Sequence, residues 1–582
     1  MKTELHSETH LGNMLPNIAT MLVNNVERRS EKIVFQSKQK DKYVGISWKE
    51  FYNNILNIAF NLKKFGFHAG DKIIIFSPNR LEMLELELAV MASGGVAVPI
   101  FAFFHKETAE LLINHSDAKY LAVAGEYQLY NVGEINVKDI FVFDTIEKKY
   151  FSNQHSFDEL LIERTTKDFY LKINEDTDDI CLNMYTSGTM GIPKCVQLSH
   201  KNILSQQAAL TNVWNIDESD RFLSYLPWHH SFGGIFELFT ALYNGATISL
   251  ESGYGKDPVV IMENWKLIQP TVFFSVPKVY QSLIDLTKHD EEVSELFFHS
   301  QLKFIFTAAA ALPQKLSDEF ESRHIPVVEG WGLTETSPCC TLTNPAKKRE
   351  SGVVGFPLPG IEIRLADDGE IQVKGPNVMK GYYKNDEANK GIFTDDGWFC
   401  TGDIGEITEN GLKLITRKDR IFKLSNGEKV VPSDLEKLIE LKCHYISFAM
   451  VVGSGAEYPV ALLFPNKKLL DRSNYSTTPI EGCYCPKNLN ELSNCLRSCL
   501  HDANCAIGQK FSKIKSAMII DEELSLEKGT LTPSMKVAPK NVVNTYRAHL
   551  ENLYGGDNVV ENDVYIIRLA EAENKIEKTI TV

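Results

Sequence analysis

Short apolar runs alternate with amphipathic stretches over most of the chain. Ile73 to Phe76 is a branched and aromatic run that stops at the turn signal Ser77-Pro78-Asn79, and a helical pattern begins near Leu81. Val96 to Phe101 is the next apolar run, so the order reads strand, helix, strand. The same alternation recurs around Tyr120 to Ala124, Ile140 to Phe143, Phe222 to Leu226, Ala246 to Leu250, Val272 to Ser275 and Phe304 to Thr307. Such a pattern predicts largely parallel sheets covered by helices, an α/β architecture. After Gly352 the texture changes to short strands broken by Asp367-Asp368-Gly369 and Asp395-Asp396-Gly397, a small β-rich unit with hairpin-like turns. Charge clusters at Thr416-Arg417-Lys418-Asp419-Arg420, and a mixed α/β pattern restarts beyond it. A domain boundary is expected there, giving residues 1–417 and 418–582. Asp471 to Asn490, rich in Ser, Thr, Asn and Pro, reads as a surface insertion in the second domain, and the tail beyond Gly556 shows no chemistry.

Composition narrows the function. A chain of 582 residues exceeds one hydrophobic core, and three or more structural units are expected. A formal charge of -15 disfavours a general nucleic-acid binder, which needs a basic face to displace counterions, although local basic patches are compatible with it. The start MKTELHSETHLGN lacks the layout of a secretory signal, and no apolar run approaches the roughly 20 residues of a spanning helix, so a cytoplasmic protein is expected. Eleven cysteines fit reduced thiols better than a disulfide framework. Six fall late, at Cys443, Cys483, Cys485, Cys495, Cys499 and Cys505 with His501 among them; inert thiols are the plain reading, and a zinc site is the alternative although no Cys-x-x-Cys pair is present. Oligomeric state is not legible.

The densest chemistry lies in TSGTMGIPK, Thr186 to Lys194. Glycines let backbone approach an anion, and hydroxyls, amides and an ammonium neutralise its oxygens, so the run suits a polyphosphate. Gly188 and Gly191 stand too close for a Walker A loop, and Pro193-Lys194 closes the run. Taken alone it also fits an ordinary glycine-rich turn. Further motifs follow in order: LPWHHSFGG from Leu226 to Gly234, TAAAAL from Thr307 to Leu312, EGWGLTET from Glu329 to Thr336, and TGD from Thr401 to Asp403. TRKDRIFKLSNGEKVVPSDLE then runs from Thr416 to Glu436, and LTPSMK from Leu531 to Lys536. Singly, each residue has a bland reading: Asp403 as a turn residue, Glu335 as a helix-start carboxylate, Lys536 as a surface lysine, His229 and Trp228 as packing.

Together these motifs resemble the adenylate-forming superfamily of acyl- and aryl-CoA synthetases, luciferases and peptide-synthetase adenylation domains, from about Ile46 to Tyr554, and most of all its long-chain fatty acyl-CoA synthetase branch. The resemblance implies a large N-terminal domain of two α/β subdomains with a β-barrel-like unit, then a small mobile α+β domain. It implies an acid–thiol ligase of the AMP-forming kind: ATP and Mg2+ activate a carboxylic acid, expected to be a medium- to long-chain fatty acid, as an acyl-adenylate, and CoA accepts the acyl group. An aryl acid, a carrier-protein phosphopantetheine as acceptor, and a nucleotide-binding protein without turnover are the alternatives. Peripheral membrane contact is compatible with a fatty acid substrate.

By resemblance, Thr186, Glu335 and Lys536 are catalytic, with Glu335 holding the metal and Lys536 supplying a mobile ammonium. Thr186, Ser187, Gly188, Thr189 and Lys194 surround phosphates; Ala308, Ala309, Glu329, Gly330, Trp331, Gly332, Leu333 and Thr334 surround the nucleotide, with Trp331 stacking on adenine. Asp403 receives the ribose hydroxyls and Arg417 holds ribose or phosphate. His230 and Gly234 line the acyl pocket, Asp419 is the hinge, and Glu436 anchors the second domain's first helix. The chain departs from the family pattern at Met190, Cys195 and Pro539, the first removing a hydroxyl from the phosphate loop. The family's two half-reactions share one site, the small domain rotating between them.

Overall fold

A computed structural model describes residues 3–165, 171, 177–186, 193–288, 290–308, 312–467, 469–471, 476–479, 483, 485–525, 528–531, 537–554, 560–561 and 564–569. The chain forms two compact units, one of Met1–Thr401 with Gly405–Leu414 and one of Gly402–Ile404 with Ile415–Val582.

Within the first unit, an eight-stranded sheet has the order Gly381–Tyr382, Lys194–Ser199, Ile180–Thr186, Val96–Ile100, Lys72–Phe76, Tyr120–Val123, Asp139–Val142, Gln154–Ser156. From Ile180–Thr186 onward neighbours are parallel, and the first two strands are antiparallel additions. Continuous apolar runs are what such a sheet needs, because both faces are covered. Ile73 and Ile75 face the main core with helices Trp48–Lys64 and Leu81–Ala92, whereas Ile74 and Phe76 face a second cluster with helix Lys106–Ser116.

The other sheet sets Arg221–Ser224, Thr247–Leu250, Val272–Ser275, Phe304–Thr307 and Val327–Trp331 in parallel. It continues through the antiparallel strands Thr341–Leu342 and Val353–Pro357 into the β-rich region. There Asp367-Asp368-Gly369 joins the paired strands Glu362–Leu365 and Glu370–Lys374. The β-rich region is thus hydrogen-bonded edge to edge with the α/β sheet.

The second unit has a five-stranded sheet in the order Ile446–Val452, Val460–Pro465, Ser516–Ile520, Val564–Arg568, Val560–Glu561. Helices Pro432–Lys442 and Leu489–Ala506 cover one face, and Pro539–Thr545 packs in the cluster on the other. The segment expected to be an insertion contains a short hairpin, Leu470–Asp471 with Ser476–Thr477, and leads through the N-cap Asn488 into the 18-residue helix Leu489–Ala506. Leu492, Leu496 and Leu500 recur every four residues on that helix and are its buried stripe. Among the described residues, no helix is long and apolar enough to cross a membrane.

Candidate active site

The glycine-and-hydroxyl run joins two antiparallel strands, and their register sets Thr186 opposite Lys194. Ser187, Gly188, Thr189, Ala309 and Lys536 lie outside the described residues. Strand Lys194–Ser199 pairs on its other side with Gly381–Tyr382, Val196 opposite Tyr382. That pairing brings the Lys194 ammonium over the Tyr382 ring, 4.7 Å from its centroid. The Tyr382 hydroxyl donates to Glu335 Oε1 at 2.7 Å. One aromatic side chain therefore links the lysine closing the phosphate loop to the carboxylate of the EGWGLTET motif. Tyr382 is absent from the sequence candidates, since an aromatic after Gly381 looks like any core residue until strand pairing is known.

Glu335 sits in the single 3-10 turn Thr334–Thr336, and its carbonyl accepts from Met379 N–H at 2.8 Å. Beside it the Thr334 and Ser231 hydroxyls are 3.0 Å apart and buried, which joins this turn to LPWHHSFGG. Asn79 holds the start of that motif, donating to the Leu226 carbonyl at 2.8 Å and accepting from Trp228 N–H at 2.9 Å. The chain then winds into a π-helix, Phe232–Glu237. The wide turn presses Gly234 against the backbone it has just left: a Cβ there would lie 1.9 Å from the Trp228 carbonyl oxygen. His230 Nδ1 accepts from Phe232 N–H at 3.3 Å, and its carbonyl accepts from Gly234 N–H at 2.8 Å.

Two ionisable groups of this segment, His229 and Glu237, are held neutral. Burial pulls His229 down to about 4, its ring 5.1 Å from that of Phe101. Burial also pushes the Glu237 carboxyl well above its usual range, although the Ser224 hydroxyl donates to it at 2.7 Å.

Glu329 lies deeper. Its carboxylate is paired with the buried Arg349 at 2.6 Å and accepts from Leu312 N–H at 3.3 Å, so it fixes the chain beyond the Phe304–Thr307 strand, where Ala308 is half-buried. Arg349 is the second group sequence reasoning did not single out. Trp331 is buried in the apolar core, and Leu333 N–H donates to the Thr336 hydroxyl at 2.9 Å. Gly332 stands where a Cβ would meet the Pro338 carbonyl oxygen at 1.7 Å, so no larger residue fits; Gly330 faces the Phe306 ring.

In the second unit, Arg417 Nη1 donates to Asp403 Oδ1 at 2.8 Å, and Arg417 Nε is 3.9 Å from Asp419. Asp419 lies in the turn Lys418–Arg420. Arg420 pairs with Glu436, which also accepts from Val451 N–H at 2.8 Å and so ties helix Pro432–Lys442 to strand Ile446–Val452. Burial raises the Glu436 carboxyl despite that arginine. On either side of the lysine motif, Leu531 bridges to Val537 and Ala538 N–H donates to the Thr530 carbonyl at 2.9 Å.

A sequence profile of the AMP-binding enzyme family matches residues 22–383, and its C-terminal domain profile matches residues 419–558. The chain belongs to this family. It is 28% identical to fatty acyl-CoA synthetase A of Dictyostelium discoideum, over 89% of this chain and 86% of that one. It is 26% identical to a long-chain-fatty-acid–CoA ligase of Mycobacterium tuberculosis, over 92% and 97%. Among solved structures, the Bacillus subtilis O-succinylbenzoate CoA synthetase with AMP matches at TM-score 0.72 and 22% identity, over 91% of this chain and 98% of that one. An anthranilate CoA ligase with anthranoyl-AMP matches at 0.75 and 20%, over 93% and 99%. These structural likenesses bear on the fold. The protein is an acid–thiol ligase of the AMP-forming kind, which uses ATP, Mg2+ and CoA to activate a carboxylic acid through its acyl-adenylate.

Proposed function

We propose that the acid is a medium- to long-chain fatty acid, and that the motif around His230 and Gly234 forms the wall its chain meets. The observation that supports this is the charge state of that wall. An acid with a second ionised group would need a fixed cation to receive it, because an unpaired buried charge is strongly disfavoured. Between Leu226 and Leu238 the only ionisable side chains are His229, His230 and Glu237, and burial holds His229 and Glu237 neutral. Around them Phe232, Phe236, Phe274 and Phe306 interlock with ring centroids 4.7–6.4 Å apart. Names of relatives such as fatty acyl-CoA synthetase A point the same way. Carboxylate-dependent exchange of pyrophosphate into ATP, run over fatty acids of graded length and a set of aryl acids, tests the reading. The rate should climb with alkyl length, and a best substrate among aryl or two-carboxylate acids would refute it.

The chemistry joins two anions, and the residues fit that difficulty. The fatty carboxylate attacks the α-phosphorus and pyrophosphate leaves, with charge growing on equatorial oxygens. Lys194, Thr186, Ser187, Gly188 and Thr189 cradle phosphates, and Lys536 supplies the cation for this half-reaction. Ala308, Ala309, Glu329, Gly330, Trp331, Gly332, Leu333 and Thr334 bound the adenine side. Asp403 receives both ribose hydroxyls while Arg417 holds its orientation, and Asp419 is the pivot. Glu335 suits Mg2+: Tyr382 fixes one carboxylate oxygen and the other has no partner among the described residues, which leaves a hard oxygen donor linked through Tyr382 to Lys194. Bound there, Mg2+ would neutralise charge on the phosphates. Tyr382 orients Glu335 and, through its ring face, holds Lys194 near the same oxygens.

A further inference from the structure

The second unit holds a line of thiols that the ligase chemistry does not use. Cys443 is fully buried at the C-terminal end of helix Pro432–Lys442. Cys495 and Cys499 lie one turn apart on helix Leu489–Ala506, beside its buried leucine stripe, and pack against the same core as Cys443. Cys483 packs there too, Cys485 Sγ donates to its carbonyl at 3.5 Å, and Thr477 N–H donates to the Pro486 carbonyl at 2.9 Å. The thiols neighbour one another in sequence within that core, Cys483 beside Cys495, Cys495 beside Cys499, and Cys499 beside Cys443, with Tyr445 beside the outer thiol. Four sulfurs from three separate elements thus form one chain from the half-buried Cys483 to the buried Cys443. Among the described residues, no three His, Cys, Asp or Glu side chains are arranged to hold a metal ion.

We propose that Cys483, Cys495, Cys499 and Cys443 form a thiol relay that carries oxidation by a hydroperoxide inward, ending as two disulfides, Cys443–Cys499 and Cys483–Cys495. The Cys483 sulfur attacks the distal oxygen of the hydroperoxide, the O–O bond breaks, and water or an alcohol leaves with the thiol's proton. Cys495 attacks the resulting sulfenic sulfur, an S–S bond forms, and the hydroxyl departs with the Cys495 proton as water. Cys499 then attacks the Cys495 sulfur and frees Cys483 as a thiol; Cys443 attacks the Cys499 sulfur and frees Cys495. Each exchange makes one S–S bond and breaks one, and each proton passes to the departing sulfur. Cys443, with no exposed surface, is oxidised without meeting the oxidant, and the freed outer pair accepts a second equivalent. Thiolates are scarce here, because neighbouring sulfurs and burial push Cys495 and Cys499 upward and burial pushes Cys483 upward, so the relay turns over slowly.

Reduced full-length protein is treated with one and then two equivalents of hydrogen peroxide, blocked with N-ethylmaleimide and mapped by non-reducing peptide mass spectrometry. One equivalent should yield mainly the Cys443–Cys499 peptide pair, two should add Cys483–Cys495, and each bond should cost the mass of two hydrogens. In Cys495→Ser, one equivalent should no longer link Cys443 to Cys499 although both remain. Undiminished linkage in that variant overturns the relay. Sulfinic acids without cross-links, or pairing through Cys485 or Cys505, overturns it in the wild-type chain independently of the variant's folding. Zinc that copurifies one per chain and blocks these four thiols until chelated replaces it with a metal site.

Discussion

Tyr382 is the residue on which the site's geometry turns, because it touches Lys194 with its ring and Glu335 with its hydroxyl. Tyr382→Phe keeps the ring and deletes one hydrogen bond to a carboxylate, a bond of about 1.5–3 kcal/mol. The expected result is an apparent Mg2+ affinity lower by roughly 10- to 100-fold with little change in thermal stability; titrating Mg2+ in the pyrophosphate exchange assay checks it, and an unchanged Mg2+ requirement would separate Tyr382 from the metal. Glu87 poses a different question. It is fully buried on helix Leu81–Ala92, both its oxygens lack hydrogen-bond partners among the described residues, and burial raises it from an ordinary 4.5 to about 8; Glu85, held by Asn54, is raised to about 8 as well. A carboxyl protonated when folded and ionised when unfolded contributes its full stability below pH 4.5 and loses it as pH rises toward 8. Glu87→Gln should remove that group's own share of the slope, on the order of 4 kcal/mol at most, and comparing wild-type and variant unfolding in denaturant at pH 5 and pH 8 reads it. Lys194 and Glu335 were legible in the sequence because an ammonium after a glycine-rich run and a carboxylate in a polar turn have few structural duties. Tyr382 and Arg349 were not, since their meaning lies in partners distant along the chain.

At the scale of elements, the strands that sequence patterning found were those buried on both faces, such as Val272–Ser275 and Phe304–Thr307, whose bounds agree residue for residue with the apolar runs. Their signal is undiluted by solvent-facing positions. Leu489–Ala506 escaped notice because thiols flank its leucine stripe and a polar segment precedes it. The π-helix Phe232–Glu237 also left no periodic trace, as six residues are too few for one. Its requirement is steric. Gly234→Ala would drive a methyl to 1.9 Å from the Trp228 carbonyl oxygen, and backbone cannot yield as a flexible side chain does. The π-helix should open, at about 1–3 kcal/mol of stability, with KM for the acid rising more than KM for ATP. Equal loss for both substrates would place the defect in the fold instead of the acyl wall. In the second unit, Glu436 joins Arg420 to Val451 N–H, and Arg420→Ala would leave its buried carboxylate without its cation. Loss of about 3–5 kcal/mol is expected, read as earlier unfolding of that unit in denaturant; Glu436→Gln, which retains an oxygen for Val451, should lose less.

For the whole molecule the division of labour follows the division of cores. Each unit buries its own hydrophobic clusters, so each has the means to persist while the chain between them changes its torsion angles. The chain leaves the first unit at Leu414 and enters the second at Ile415, four residues before Asp419 and just ahead of the charged run Thr416 to Arg420. The lysine motif belongs to the second unit, where Leu531 bridges to Val537. If the family's alternation operates, Lys536 serves adenylation and is withdrawn for thioester formation. Lys536→Ala should then slow pyrophosphate exchange by about 100-fold or more, the scale of one lost transition-state donor, while CoA thioester formation from supplied acyl-adenylate persists near the wild-type rate. Asp419→Pro, which restricts φ where rotation is expected, should give the opposite pattern, exchange retained and thioester formation lost. Equal loss of both half-reactions in Lys536→Ala would assign that lysine to holding the nucleotide throughout, and the site would then need no rotation to explain its two chemistries.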